Sequence, residues 1–161
     1  MIDVIKVASY IFKRYQEEMK GKIDEMKLHK LLYFAQRESI IQTGEPMFND
    51  QFEAWKYGPV MVVVRNSFKK LENMNLRPSE EELAPYKNSL DFVFQNYAVK
   101  DSWSLSILTH GESCWKKARY GYGPDDHCDV LISTDDIVKD AERIKIRRFY
   151  FENIVPELQK S

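Results

Sequence analysis

The sequence predicts a mainly α-helical, compact single-domain fold with a short extended or irregular segment around residues 47–59. Three observations predict it. Apolar residues recur at steps of three and four through most of the chain. The helical period lapses conspicuously at residues 47–59, where Gly, Pro, Asn and Asp gather. The periodic stretches are bounded by Asp, Ser or Thr before them and by Gly or Pro after them, as helix caps and stops require. A length of 161 residues suits one domain and buries enough surface to need no disulfide or metal staple.

Val4, Val7, Ala8, Ile11, Phe12, Tyr15 and Met19 share one helical face, and Gly21 supplies the expected stop. A second helix starts near Asp24 or Glu25. Its Leu28, Leu31, Leu32 and Ala35 share a face that Tyr33, Phe34 and Ile41 widen, so it is expected to pack on more than one side until Gly44 and Pro46 end it. In the aperiodic segment, Phe48, Phe52, Trp55 and Tyr57 sit on a path with room for one short strand. Pro59 holds Gly58 out of helical geometry and is expected to open the next helix, carried on by Val60, Val63, Val64, Phe68 and Leu71. Arg77-Pro78 breaks it. Ser79 followed by three glutamates is a helix start, cut short by Pro85, and a helix then runs through Leu90, Val93, Phe94 and Tyr97. Another begins near Ser102 with Leu105, Ile107 and Leu108, and Gly111 parts it from a short helix at 114–119. Residues 120–129 read as a loop. Ser133 or Thr134 caps the last helix, with Ile137, Val138, Ala141 and Ile144 on its face and Phe149, Phe151 and Ile154 in its extension.

Composition narrows function by exclusion. Lys and Arg number 24 against 25 Asp and Glu, without the basic excess that a nucleic-acid backbone demands. The longest apolar run, residues 60–64, is far below the ~20 residues of a membrane helix, and no signal-peptide pattern opens the chain. Two cysteines make no disulfide framework, so a reducing cytoplasm is expected. His110, Cys114, His127 and Cys128 are the residue types of a structural zinc site, but two are adjacent and Gly111 interrupts the first pair, so no metal or other cofactor is expected. Cys114 has no evident catalytic pairing, and there is no nucleophile elbow, P-loop or dinucleotide fingerprint; an enzyme is not expected. The aromatic segment is the most unusual feature. Its residues either anchor a protein partner, as exposed Trp and Tyr often do, or plug the space between helices.

Three strings are diagnostic together: Lys27-Leu28-His29-Lys30-Leu31-Leu32-Tyr33-Phe34-Ala35-Gln36, then Phe52-Glu53-Ala54-Trp55-Lys56-Tyr57-Gly58-Pro59-Val60, then Leu105-Ser106-Ile107-Leu108-Thr109-His110 with Trp115. In order and spacing they resemble the Panacea domain, the antitoxin family that includes SocA-like and phage-associated GepA-like proteins. The resemblance implies a helical fold and an antitoxin that neutralises a cognate toxin by direct binding, in some members by presenting it to an AAA+ protease. A prophage protein that binds a host protein is the alternative. It matches Lys27, Leu31, Leu32, Tyr33, Gln36, Glu53, Gly58, Pro59, Leu108, Thr109 and Trp115 to mostly structural positions. Phe48, Phe52, Trp55, Tyr57 and His110 remain the candidates for protein contact. No helix-turn-helix module fits before the first string, so direct control of transcription is not expected.

Overall fold

The computed structural model describes residues 1–160 and is mainly helical. Helix α1 spans Val4–Met19 and α2 spans Glu25–Thr43, followed by strands β1 (Glu53–Trp55) and β2 (Gly58–Val60). Helix α3 (Val62–Ser67) runs into a 3-10 turn (Phe68–Asn73), and α4 (Glu80–Leu83) into another (Ala84–Tyr86). Then come α5 (Lys87–Asn96), α6 (Ser102–His110), α7 (Ser113–Ala118) and α8 (Thr134–Phe149). A π turn (Tyr150–Ile154) joins α8 to α9 (Val155–Gln159).

Local chemistry sets the boundaries. Asp3 and Asp24 accept hydrogen bonds from the Ile5 and Lys27 amides, capping α1 and α2. Gly44, at φ +81°, turns the chain left-handed and returns its N–H to the Ile40 carbonyl. At the end of α1 the left-handed residue is Lys20 rather than the expected Gly21. Ser79 and Glu82 form a reciprocal capping box that starts α4. Ser133 precedes the first turn of α8, which carries Asp135 and Asp136 where negative charge favours the helix dipole.

Helix α2 is the spine. It packs against α1, α5, α6, α8 and β2, and Leu28, Leu31, Leu32, Tyr33, Phe34 and Ala35 are all buried. So are Lys27, His29, Lys30, Gln36, Arg37 and Glu38. Burying a leucine is worth about 1.5–3 kcal/mol, while a buried polar group left unpaired costs about 1–3 kcal/mol. Pairing therefore decides whether such a helix is tolerable. Lys27 Nζ donates to the Tyr15 hydroxyl and the Ala98 carbonyl. Gln36 receives the Met47 and Phe48 amides and donates to the Phe48 carbonyl, fixing the chain just after α2. Arg37 pairs with Glu112 and donates to Tyr97 Oη at 2.7 Å. Glu38 accepts from Arg148 of α8 at 2.7 and 3.1 Å. The polar residues of α2 thus tie it to α1, to α8 and to the segments around Met47, Tyr97 and Glu112.

The aperiodic segment is an antiparallel hairpin. Glu53 pairs with Val60, Ala54 with Pro59 and Trp55 with Gly58. Residues 130–132 lie along its outer edge: the Ala54 amide donates to the Val130 carbonyl and the Ile132 amide to the Phe52 carbonyl. Pro59 therefore does not open α3. It sits within β2, and the helix begins three residues later at Val62. Proline's fixed φ suits an edge strand as well as a first helical turn, so the residue alone does not distinguish them.

Candidate protein-binding site

The hairpin is held by side chains rather than by a larger sheet. Arg119 Nη1 donates to the Ala54 carbonyl and Trp115 Nε1 to the Trp55 carbonyl, each at 2.9 Å. Ser106 Oγ donates to the Tyr57 carbonyl at 2.6 Å, and Lys30 Nζ donates to the Pro59 carbonyl at 3.1 Å. Helices α2, α6 and α7, with the Arg119 that ends α7, thereby supply donors to the carbonyls of Ala54, Trp55, Tyr57 and Pro59. Gly58 makes the close approach possible. It lies at φ +110°, and a Cβ there would stand 2.4 Å from Thr109 Oγ1 and 2.8 Å from Lys30 Cε. His110 stacks on Trp115 at 4.5 Å, and burial lowers its pKa below the ordinary histidine value.

These contacts explain the three sequence strings as one scaffold. Lys27, Leu31, Leu32, Tyr33 and Gln36 belong to the buried spine; Gly58, Pro59, Thr109 and Trp115 clamp the turn. Glu53 accepts from Trp55 Nε1 at 2.6 Å, fixing that ring on the outside of β1. Phe48 and Phe52 are fully buried, with ring centroids 5.9 Å apart, so they form core and offer a partner no surface. His110 is only half-buried but is committed to the Trp115 stack. Of the five contact candidates, Trp55 and Tyr57 remain at the face of the hairpin.

Tyr57 is 46% exposed and meets Trp103 with ring centroids 5.8 Å apart. Trp103 and Ile107, one turn apart on α6, are each 57% exposed, and Val99 and Leu108 are exposed as well. A contiguous apolar surface rimmed by polar residues is the usual mark of a protein contact site. Trp103 and Ile107 had no distinguishing signal in the sequence. Helix α6 carries apolar residues on both faces, and its period does not reveal which one packs inward.

Beside the hairpin lies a groove of about 390 Å³. Met26, Trp55, Tyr57 and Val60 supply apolar wall, and Glu25, His29, Lys30, Lys56, Arg65 and His127 supply its charged or titratable lining. Arg65 lies over the Trp55 ring at 5.0 Å, and His127 meets that indole edge-on at 5.3 Å. A second hollow, about 440 Å³, is lined by Arg37, Leu108, Glu112, Asp140, Arg147 and their neighbours. Past Ile144 the C-terminal helix loses its core-facing role, and Ile146, Phe149, Tyr150, Phe151 and Ile154 are exposed.

The cysteine–histidine set does not converge. Cys114 is buried 3.1 Å from Tyr33 Oη and its thiol pKa is pushed well above the ordinary value by burial, whereas Cys128 is buried against the Ala118 carbonyl. Among the described residues no group of three or more His, Cys, Asp or Glu side chains is placed to hold a metal. No helix among them is long and apolar enough to cross a membrane.

Comparison with known proteins follows the same residues. The family model described as Antitoxin SocA-like, Panacea domain, matches residues 28–116, from the spine through the hairpin to the Trp115 clamp. Antitoxin SocA of Caulobacter vibrioides (strain NA1000 / CB15N) is 48% identical over 46 residues, covering 29% of this chain and 24% of that protein. The match thus spans about a quarter of the curated relative's length. No solved structure matches. With more than half its length under the family model, the chain belongs to the SocA-like antitoxin family defined by the Panacea domain.

Proposed function

We propose that this protein is an antitoxin that neutralises a cognate toxin by direct binding, acting in the cytoplasm as a binding protein without catalysis of its own. The observation that carries the reading is the exposed surface made by Tyr57, Trp103 and Ile107 on a clamped hairpin and a packed helix. Large aromatics on a rigid support lose little freedom when a partner covers them, and such residues dominate protein-binding energetics. Family membership supplies the class of partner. The experiment is co-expression with the product of the adjoining gene. Growth should be restored and the two proteins should co-purify; Trp103→Asp should abolish both while leaving the fold intact. Rescue by Trp103→Asp at normal levels would remove this surface from the proposal.

A second surface supports an adaptor form of the same function. The C-terminal apolar side chains Ile146 and Phe149, on the last turns of α8, and Phe151, on the π turn that packs against α8 and α9, are exposed. An antitoxin that hands its toxin to an AAA+ protease needs two docking faces, and this run supplies a second. In that form the Phe149→Asp, Phe151→Asp double variant still binds toxin but lengthens its half-life in cells. An unchanged half-life restricts the mechanism to masking.

A further inference from the structure

We propose that the groove between α2 and the hairpin receives a carboxylate of the toxin, an aspartate or glutamate side chain carried next to an apolar residue. The proposal rests on the antitoxin reading and names the chemistry by which it is achieved.

The groove holds donors without matching acceptors. Lys30 is 1% exposed, and its ammonium group makes one side-chain hydrogen bond, to the Pro59 carbonyl. An ammonium carries three N–H donors. No carboxylate forms an ion pair with Lys30 among the described residues, whereas the other buried cations, Lys27, Arg37 and Arg119, each donate to at least two protein acceptors. His29 adds a second donor without an acceptor. Its Nδ1 accepts from the Met61 amide at 3.2 Å, which leaves the neutral ring's proton on Nε2. That Nε2 is buried without a hydrogen bond, 3.5 Å from Glu25 Oε1.

Charge and shape agree with the missing group. The lining carries Lys30, Lys56 and Arg65 against one acid, Glu25, which itself lies 3.4 Å from Arg65. Lys56 is drawn outward to Asp125 at 3.0 Å. A buried cation without a counter-ion is costly, and here burial lowers the Lys30 pKa to about 7. An incoming carboxylate supplies acceptors for both Lys30 and His29, while Trp55, Tyr57 and Met26 cover the apolar neighbour. Tyr57 belongs both to this wall and to the exposed surface that reaches Trp103, so one toxin segment can lie across the two.

The test uses the full chain and two blocked peptides, acetyl-Phe-Glu-Leu-amide and acetyl-Phe-Gln-Leu-amide, followed by the indole resonance of Trp55. The glutamate peptide is expected to bind at least tenfold more tightly than its glutamine twin. Lys30→Gln, which keeps an N–H donor, should erase that preference. Arg65→Glu, at an exposed rim position, should reverse the local charge and weaken the glutamate peptide severalfold without touching the core; it stands in if Lys30→Gln does not fold. Equal binding of the two peptides, no binding at millimolar concentration, or a preference that survives both substitutions overturns the pocket. Growth rescue by the unmodified chain in that event leaves the antitoxin reading standing. Glutamate preference with no growth rescue overturns the assignment to a toxin.

Discussion

Gly58→Ala tests the clamped hairpin at its tightest point. The residue lies at φ +110°, and an added Cβ would approach Thr109 Oγ1 to 2.4 Å and Lys30 Cε to 2.8 Å. Forcing an L-residue into such backbone costs about 1–3 kcal/mol, and overfilling a packed site costs about 1–3 kcal/mol more. A loss of about 2–6 kcal/mol is therefore expected in urea unfolding at 25 °C. Two glycines calibrate the parts. Gly44→Ala has positive φ but open space and should show the strain alone; Gly21→Ala has neither and should stay within about 0.5 kcal/mol. Thr109→Ala removes the nearest colliding atom, so the Gly58→Ala, Thr109→Ala double variant should lose less than the sum of the singles, by about 1 kcal/mol. Toxin capture should fall with Gly58→Ala, because the turn that carries Trp55 and Tyr57 must move. A loss below about 1 kcal/mol, or strict additivity with Thr109→Ala, would refute the close-approach argument.

Further outcomes follow from other contacts. Gln36→Leu leaves the buried Met47 and Phe48 backbone groups unpaired and should cost about 2–5 kcal/mol, read as a lower urea midpoint. Lys30 has a folded pKa of about 7 against an ordinary 10.5, so between those values the unfolded chain binds more protons. Its contribution is complete above the ordinary value and lost as pH falls to about 7; stability should rise from pH 7 to 9, and Lys30→Gln should flatten that rise. Ile107→Asp, on the open face of α6, should change stability by less than about 0.5 kcal/mol yet abolish toxin capture in a pull-down.

Much of the fold is legible because each helix carries its own boundary chemistry. Asp24, Gly44 and the Ser79–Glu82 box mark ends that need only local geometry. The width of the apolar surface on α2 correctly signals a helix packed on several sides. What the chain does not announce is tertiary. Pro59 fits a first helical turn as readily as an edge strand, and only pairing with Ala54 decides it. Phe48 and Phe52 look like loop aromatics until Gln36 folds their backbone onto the spine. Trp55 and Tyr57 are identifiable as contact candidates, whereas Trp103 and Ile107 emerge only once α6 shows which face it buries. The carbonyl donors Ser106, Trp115 and Arg119 serve partners about fifty or more residues away, a relation that periodicity does not encode.

The most direct measurement is affinity purification of the tagged chain co-expressed with the adjoining gene product, with growth scored in the same cells. The binding account predicts a stable complex and restored growth for the unmodified chain, and loss of both for folded Trp103→Asp. Restored growth without a complex, or a complex undiminished by Trp103→Asp, would contradict it.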